Sequence, residues 1–192
     1  MEPSVKNIHD DLIRGCRIND RKAQVQVYKL YYKAMYNTAL RILNDSAEAE
    51  DVMQEAFLEA FRKIETYREE SSFGTWLKRI VINKSVDVIR RSRGVVSMDE
   101  MDVDVPDHLE DENYIQVLST RVEEIRKAIH GLPDNYRIIL SLFLLEGYDH
   151  EEIAQILNIS YNLSRTRYSR AKKKLLEFIG ADENGASKSK LN

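Results

Sequence analysis

The chain has 192 residues, 43% apolar and 32% charged, with a net charge of −3; this is the profile of a globular protein with room for one medium domain or two small ones. Its single cysteine, Cys16, excludes an internal disulfide and suits a reducing compartment. No window approaches the roughly 18 to 20 consecutive apolar residues of a membrane span, and residues 1–20 lack a signal peptide's apolar centre, so a cytoplasmic protein is expected.

Three prolines and seven glycines punctuate a sequence that shows helical periodicity and no sustained alternation, which predicts an all-α fold. In chain order the pattern predicts helices over 10–15, 21–43, 47–66, 75–91, 113–130, 133–145, 150–157 and 161–179. Asn44 and Asp45 mark a turn, Pro133 suits a first helical turn, and Gly147 sits just past the helix that ends near Leu145. Asp149, with Glu152 three residues on, has the spacing of a capping box. The four histidines (His9, His108, His130, His150) are scattered, with no neighbours at metal-ligand spacing, and no cofactor or metal is expected.

In the helix over 47–66, Ala49, Val52, Met53, Ala56, Phe57, Ala60, Phe61 and Ile64 recur at steps of three and four and make one apolar stripe, which predicts a core face. The opposite face carries Asp51, Gln54, Glu55, Leu58, Glu59 and Arg62. Leu58 among carboxylates is open to two readings: an incidental exposed leucine, or the anchor of a protein-docking face whose acids select a basic partner. The next helix supplies Trp76, Leu77, Ile80, Val81, Val88 and Ile89 for packing. Between Thr75 and Arg93 it also carries Lys78, Arg79, Lys84, Arg90, Arg91 and Arg93 against one acid, Asp87. The loop before it holds Tyr67, Ser71, Ser72 and Phe73. A basic helix beside an aromatic loop suits unstacked bases, which need phosphate charge and a stacking pocket; the alternative for Phe73 and Trp76 is that both are core.

Between Ser97 and Glu112 eight acids and no Lys or Arg surround Pro106, and setting those eight aside leaves +5 on the rest of the chain. The apolar pattern dissolves there, which predicts a linker over 94–112. Its acids are a solvated spacer or a mimic of nucleic-acid charge. The expected organisation is a first helical domain over 1–93, the linker, a second over 113–180 and a frayed polar tail over 181–192.

From Asn158 to Leu176 there are six basic residues and no acid, on the second of two short helices joined by a three-residue turn. That is the pattern of a helix-turn-helix whose second helix lies on nucleic acid. Tyr161, Ser164, Tyr168, Ala171, Leu175 and Phe178 fall on the face expected to pack. Asn162, Arg165, Thr166 and Ser169 are candidates for base edges, and Arg170, Lys172, Lys173 and Lys174 for phosphates. Arg167, nearer the packed face, suits an internal ion pair as well as DNA.

These residues, in this order, resemble the extracytoplasmic-function (ECF) group of sigma-70-type sigma factors, the two-domain promoter-specificity subunits of bacterial RNA polymerase. The run AEDVMQEAFLEAFR at 49–62, the Phe73, Trp76, Leu77, Asn83 and Asp87 pattern, LPDNYR at 132–137 and SRTRYSRAKKKL at 164–175 carry the resemblance. It implies that Asp51, Gln54, Glu55 and Leu58 dock on the β′ clamp helices of core RNA polymerase. It implies that Ser71, Ser72, Phe73, Asn83, Asp87 and Arg90 open and read the −10 element. Asn162, Arg165, Thr166, Ser169, Arg170 and Lys173 would then read the −35 element as duplex. An anti-sigma partner, often membrane-bound in the family, is also implied. One departure stands out: where the family often has Gly-Thr-Val-Lys, this chain has Asn162, Leu163, Ser164 and Arg165, so an inward valine becomes Ser164.

About 20 linker residues reach up to ~70 Å, more than the ~50 Å of one and a half turns of B-DNA, so two small domains can hold two promoter elements. The expected function is a non-enzymatic initiation factor, since no acid/base pair, nucleophile with partner or phosphate loop stands in the sequence. The alternatives are a stand-alone helix-turn-helix repressor or activator, and a helical adaptor that binds a basic protein.

Overall fold

The computed structural model of the chain describes residues 9–92 and 122–188. The chain divides into two compact units, Met1–Val88 and Ile89–Asn192. Among the described residues there are eight α-helices and no strand. The acidic 94–112 segment and the first part of the helix expected over 113–130 lie outside the described residues.

The first unit holds α1 (Asp10–Arg17), α2 (Arg21–Leu43), α3 (Ser46–Arg62), a 3-10 turn (Ile64–Thr66) and most of α4 (Phe73–Ser92). Its first two joints use the same Asn-Asp dipeptide. Asn19 and Asn44 both take left-handed backbone angles, with φ of 58°, which asparagine tolerates better than most residues. The next residue caps the helix after it: Asp20 accepts from the Lys22 amide, and Asp45 from the amides of Ala47 and Glu48. These bonds satisfy amides that a helix start otherwise leaves open. Between the first two helices the approach is close, since a Cβ on Gly15 would lie 2.6 Å from that of Ala23.

Most of the expected apolar stripe is core: Ala49, Val52, Met53, Ala56, Phe57 and Ala60 of α3 are buried, as is Ile64 in the 3-10 turn, while Phe61 is half-buried. α3 packs on α2, whose Val27, Met35, Ala39, Ile42 and Leu43 are buried in turn. The single helix expected over 47–66 is interrupted at Lys63, where the chain tightens and the Lys63 carbonyl accepts from both the amide and the hydroxyl of Thr66. α4 starts two residues earlier than its apolar spacing predicts because Ser72 caps it, its Oγ accepting from the Thr75 amide at 3.2 Å.

The second unit holds α5 (Val122–Gly131), α6 (Asp134–Leu140), a π-helical turn (Ser141–Leu145), α7 (His150–Leu157) and α8 (Tyr161–Lys188). Pro133 stands at the N-cap of α6, one residue before the first turn in which the sequence places it. The helix expected over 133–145 changes its hydrogen bonding at Ser141, with the Glu146 amide reaching back to the Ser141 carbonyl at 3.0 Å. Such a wide turn inserts one residue and re-aims the chain beyond it. Here Ser141 and Leu142 stay buried, and Gly147, with φ of +78°, ends the segment. α8 runs on to Lys188, past the end of its apolar stripe at Ile179 and into the segment expected as a tail from 181. No proline interrupts that stretch.

Candidate functional site

The face of α3 opposite its core stripe presents Asp51, Gln54, Glu55 and Leu58, all exposed, and Leu58 is 62% exposed. A leucine that exposed gains nothing from the fold's own core. Around it the polar groups are partly ordered: Gln54 donates to Glu50 at 3.3 Å, and Arg62 Nε donates to the Leu58 carbonyl at 3.3 Å. Glu55 and Glu59 reach across to α4, where Lys84 Nζ lies 3.2 Å and 3.0 Å from them. Burial pulls the Lys84 ammonium down, but its bonds to the two carboxylates outweigh this and hold it above the usual range. Glu59 is held below the usual carboxylate range by hydrogen bonds from Lys63 and then Lys84. Lys84, which the sequence groups with the phosphate-facing cations, therefore serves the α3–α4 joint.

The loop over 67–72 is braced from several sides. Tyr67 is buried and its phenol donates to the Ser71 carbonyl at 2.7 Å; burial and then the charge of Glu69 push that phenol up, which keeps it a donor. Arg17 donates to the Tyr67 carbonyl and to Glu69, each at 3.0 Å. Ser71 and Ser72 are exposed, and the Ser72 and Thr75 hydroxyls lie 2.9 Å apart.

Phe73 does not stand where base stacking would need it. It is 1% exposed, its ring enclosed by Tyr31, Tyr67 and Trp76 at centroid distances of 5.5 Å each. It is core, and it underlies the loop without offering a face to a base. Beside this loop Trp76 is half-buried, 5.4 Å from Tyr67, and Tyr31 on the other side of Phe73 is half-buried as well. Apolar spacing assigns Trp76 to packing, because spacing alone does not separate it from Phe73. Along α4, Asn83 and Asp87 are exposed and Arg90 is half-buried, at steps of four and three that share one face.

In the second unit the expected capping box is present at the start of α7. Asp149 accepts from the amides of Glu151 and Glu152 at 2.8 Å, and Glu152 Oε2 accepts from the Asp149 amide at 3.1 Å. Asn158, in the left-handed region, closes α7 and opens the three-residue turn 158–160, whose last residue, Ser160, accepts at Oγ from the Leu163 amide at 3.1 Å. Along α8, Ser164, Ala171 and Leu175 are buried, while Asn162, Arg165, Ser169 and Lys173 are exposed and Thr166 and Arg170 half-buried. The helix therefore presents the polar side the spacing predicts.

Two residues assigned to its packed face stand differently: Tyr161 is 47% exposed and Phe178 is 42% exposed. Phe178 covers Gly131, where a Cβ would meet the ring at 3.0 Å. Ser164, the departure noted in the sequence, has a partner in His150, whose Nδ1 lies 3.0 Å from the Ser164 hydroxyl. Burial, then the charge of Arg165, holds this imidazole below its usual range against the opposing pull of Asp149.

Comparison with known proteins decides what these two units are. Residues 27–95 match the family model for sigma-70 region 2, and residues 122–175 that for sigma-70 region 4. The chain is 32% identical over 172 residues to the ECF RNA polymerase sigma-E factor of Haemophilus influenzae, covering 84% of this chain and 89% of that protein. The chain belongs to the ECF sigma factors of the sigma-70 family. It is also similar to the ECF RNA polymerase sigma factor SigW of Bacillus subtilis, at 29% identity over 85% of this chain and 92% of that one. Sigma factors are non-enzymatic transcription initiation factors, and this chain is one.

The fold of this sigma factor is shared with two solved structures. CnrH, solved in complex with the cytosolic domain of CnrY, has a TM-score of 0.53 and 20% identity, covering 90% of this chain and 97% of that one. The sigma factor RpoE of Bartonella quintana, solved with the anti-sigma factor NepR, has a TM-score of 0.53 and 22% identity, covering 82% of this chain and 96% of that one. No helix among this sigma factor's described residues is long and apolar enough to cross a membrane.

Proposed function

We propose that this chain docks on the β′ clamp helices of core RNA polymerase through α3, opens and reads the −10 element with residues of the 67–72 loop and α4, and reads the −35 element as duplex with α8. The observation that carries the reading is Leu58, 62% exposed with the exposed Asp51, Gln54 and Glu55 around it. An apolar anchor ringed by carboxylates is the arrangement that gives both affinity and partner choice for a basic protein surface. Downstream, Ser71, Ser72, Asn83, Asp87 and Arg90 supply polar groups for the −10 strand, and Trp76 supplies the stacking surface in place of the buried Phe73. Trapping a flipped base offsets an unpairing cost of a few kcal/mol. Upstream, Asn162, Arg165, Thr166 and Ser169 meet base edges, and Arg170 and Lys173 meet phosphates.

The domains assigned to these tasks are 1–93 and 113–180, joined by the acidic 94–112 linker, in a protein that works in the cytoplasm. Regulation by an anti-sigma factor is part of the proposal, supported by the anti-sigma complex of the Bartonella relative with the same fold.

The test is Leu58→Glu, assayed by affinity for purified core polymerase and by the thermal midpoint of the free chain. The site is on the surface, so stability is expected to stay within the roughly ±0.5 kcal/mol typical of surface substitutions, while polymerase binding is lost. Unchanged affinity would sink the docking assignment.

A further inference from the structure

Tyr161 opens α8, and the apolar spacing of that helix assigns it to the packed side. The structure leaves it half in solvent and puts it to another use. Its ring carries the guanidinium of Arg165, one turn on, at 5.9 Å from the ring centroid. The same ring stands edge-on to His150, 6.2 Å between centroids and 89° between planes.

His150 is itself held from three sides. Its Nδ1 is hydrogen-bonded to the buried Ser164 hydroxyl at 3.0 Å, its ring stacks on Phe143 at 4.8 Å, and Tyr168 meets it edge-on at 5.3 Å. A continuous set of contacts thus runs from the packed interior of the helix-turn-helix, through His150 and Tyr161, to one exposed arginine. An arginine that reads a base does so through a planar fork whose direction decides which acceptors it meets. An exposed arginine on a bare helix has many rotamers, and an aromatic face beneath it favours those that lie along the ring.

We propose that Tyr161 is a positioning and specificity-determining residue for −35 recognition: its ring, backed by His150 and Ser164, is the shelf that aims Arg165 at a base edge. The inference rests on the reading of Arg165 as a base contact. Tyr161 acts through Arg165, so its loss alters which base is preferred under that side chain more than the affinity for DNA as a whole.

The experiment uses the full chain assembled with core polymerase on promoters randomised across the upstream element, reading the base preference at each position. Arg165→Ala is expected to flatten the preference at one base pair. Tyr161→Leu, which keeps bulk but removes the ring, should flatten the same base pair by about twofold to fivefold, the strength of an exposed cation–π contact converted at tenfold per 1.4 kcal/mol. Tyr161→Phe should restore it, since the ring face is retained, and the double variant should be no flatter than Arg165→Ala alone.

A Tyr161→Leu protein with wild-type preference, beside an Arg165→Ala protein that has lost it, would overturn the shelf and leave the Arg165 reading intact. A uniform loss across all sequences on Tyr161→Leu would overturn it too, reducing Tyr161 to packing. If Arg165→Ala itself leaves every preference unchanged, the reading of Arg165 falls and the shelf falls with it.

Discussion

Phe73 and Leu58 exchange the roles their chemistry suggests at first sight. Phe73 sits in a loop signature associated with DNA opening, yet it is 1% exposed within a four-ring cluster; Leu58 is an aliphatic residue in the middle of a helix, yet it is in solvent. Burial separates the two, and burial depends on neighbours far along the chain, such as Tyr31, that local spacing does not reveal. The consequence is measurable. Phe73→Ala is expected to destabilise the first unit by about 3 to 5 kcal/mol, the range for emptying an aromatic core site, seen as a lowered denaturation midpoint reported by Trp76, the chain's single tryptophan. A Phe73→Ala protein with unchanged stability but impaired promoter opening would return Phe73 to the DNA interface.

Among the elements, helix ends were legible from the sequence wherever a short-range device marks them. The Asn-Asp joints at 19–20 and 44–45 and the Asp149 capping box are local chemistry, and the helix ends they mark lie within a residue or two of the predicted spans. The π-helical turn at 141–145 was not legible, because a hydrogen-bond shift within one apolar run leaves no mark in periodicity. Nor was the Ser164 to His150 bond, which joins two helices: the sequence showed only a polar residue where an apolar one was expected.

The burial of His150 makes a prediction for the α7–α8 pair. Burial, then the charge of Arg165, holds its imidazole below the usual range, so the folded state resists a proton that the unfolded state accepts. Its contribution is level above the unfolded value of about 6.5 and stability falls as pH drops below it, until the folded group protonates as well. Unfolding of the full chain at pH 7.5 and pH 5.5, compared with His150→Phe, should show a steeper acid loss in the wild type. Parallel pH dependences would contradict the assignment. Glu59, held low by Lys63 and Lys84, acts in a lower window: its stabilisation is present above about 4.3 and is lost as pH falls through the lowered folded value.

At the scale of the whole molecule, the two-unit plan was readable because charge is segregated along the chain: an acid-rich segment at 97–112 against six basic residues and no acid from Asn158 to Leu176. The family was readable because its signatures fall on both sides of that segment, and the matches to regions 2 and 4 do the same. The balance among residues within each unit was less readable. Lys84 has the charge of a phosphate contact and the geometry of a helix clamp; Tyr161 has the spacing of a core residue and the exposure of a surface one.

Taken together, the two units of one chain are expected to act with core polymerase to start transcription at promoters that carry two elements. Run-off transcription with purified chain and purified core on fragmented genomic DNA, with mapping of the 5′ ends, puts this to the test. Transcripts should need both proteins and begin at defined positions, each preceded by a −10 and a −35 sequence whose separate alteration lowers output. A chain that binds duplex tightly alone and yields no core-dependent transcript would contradict it.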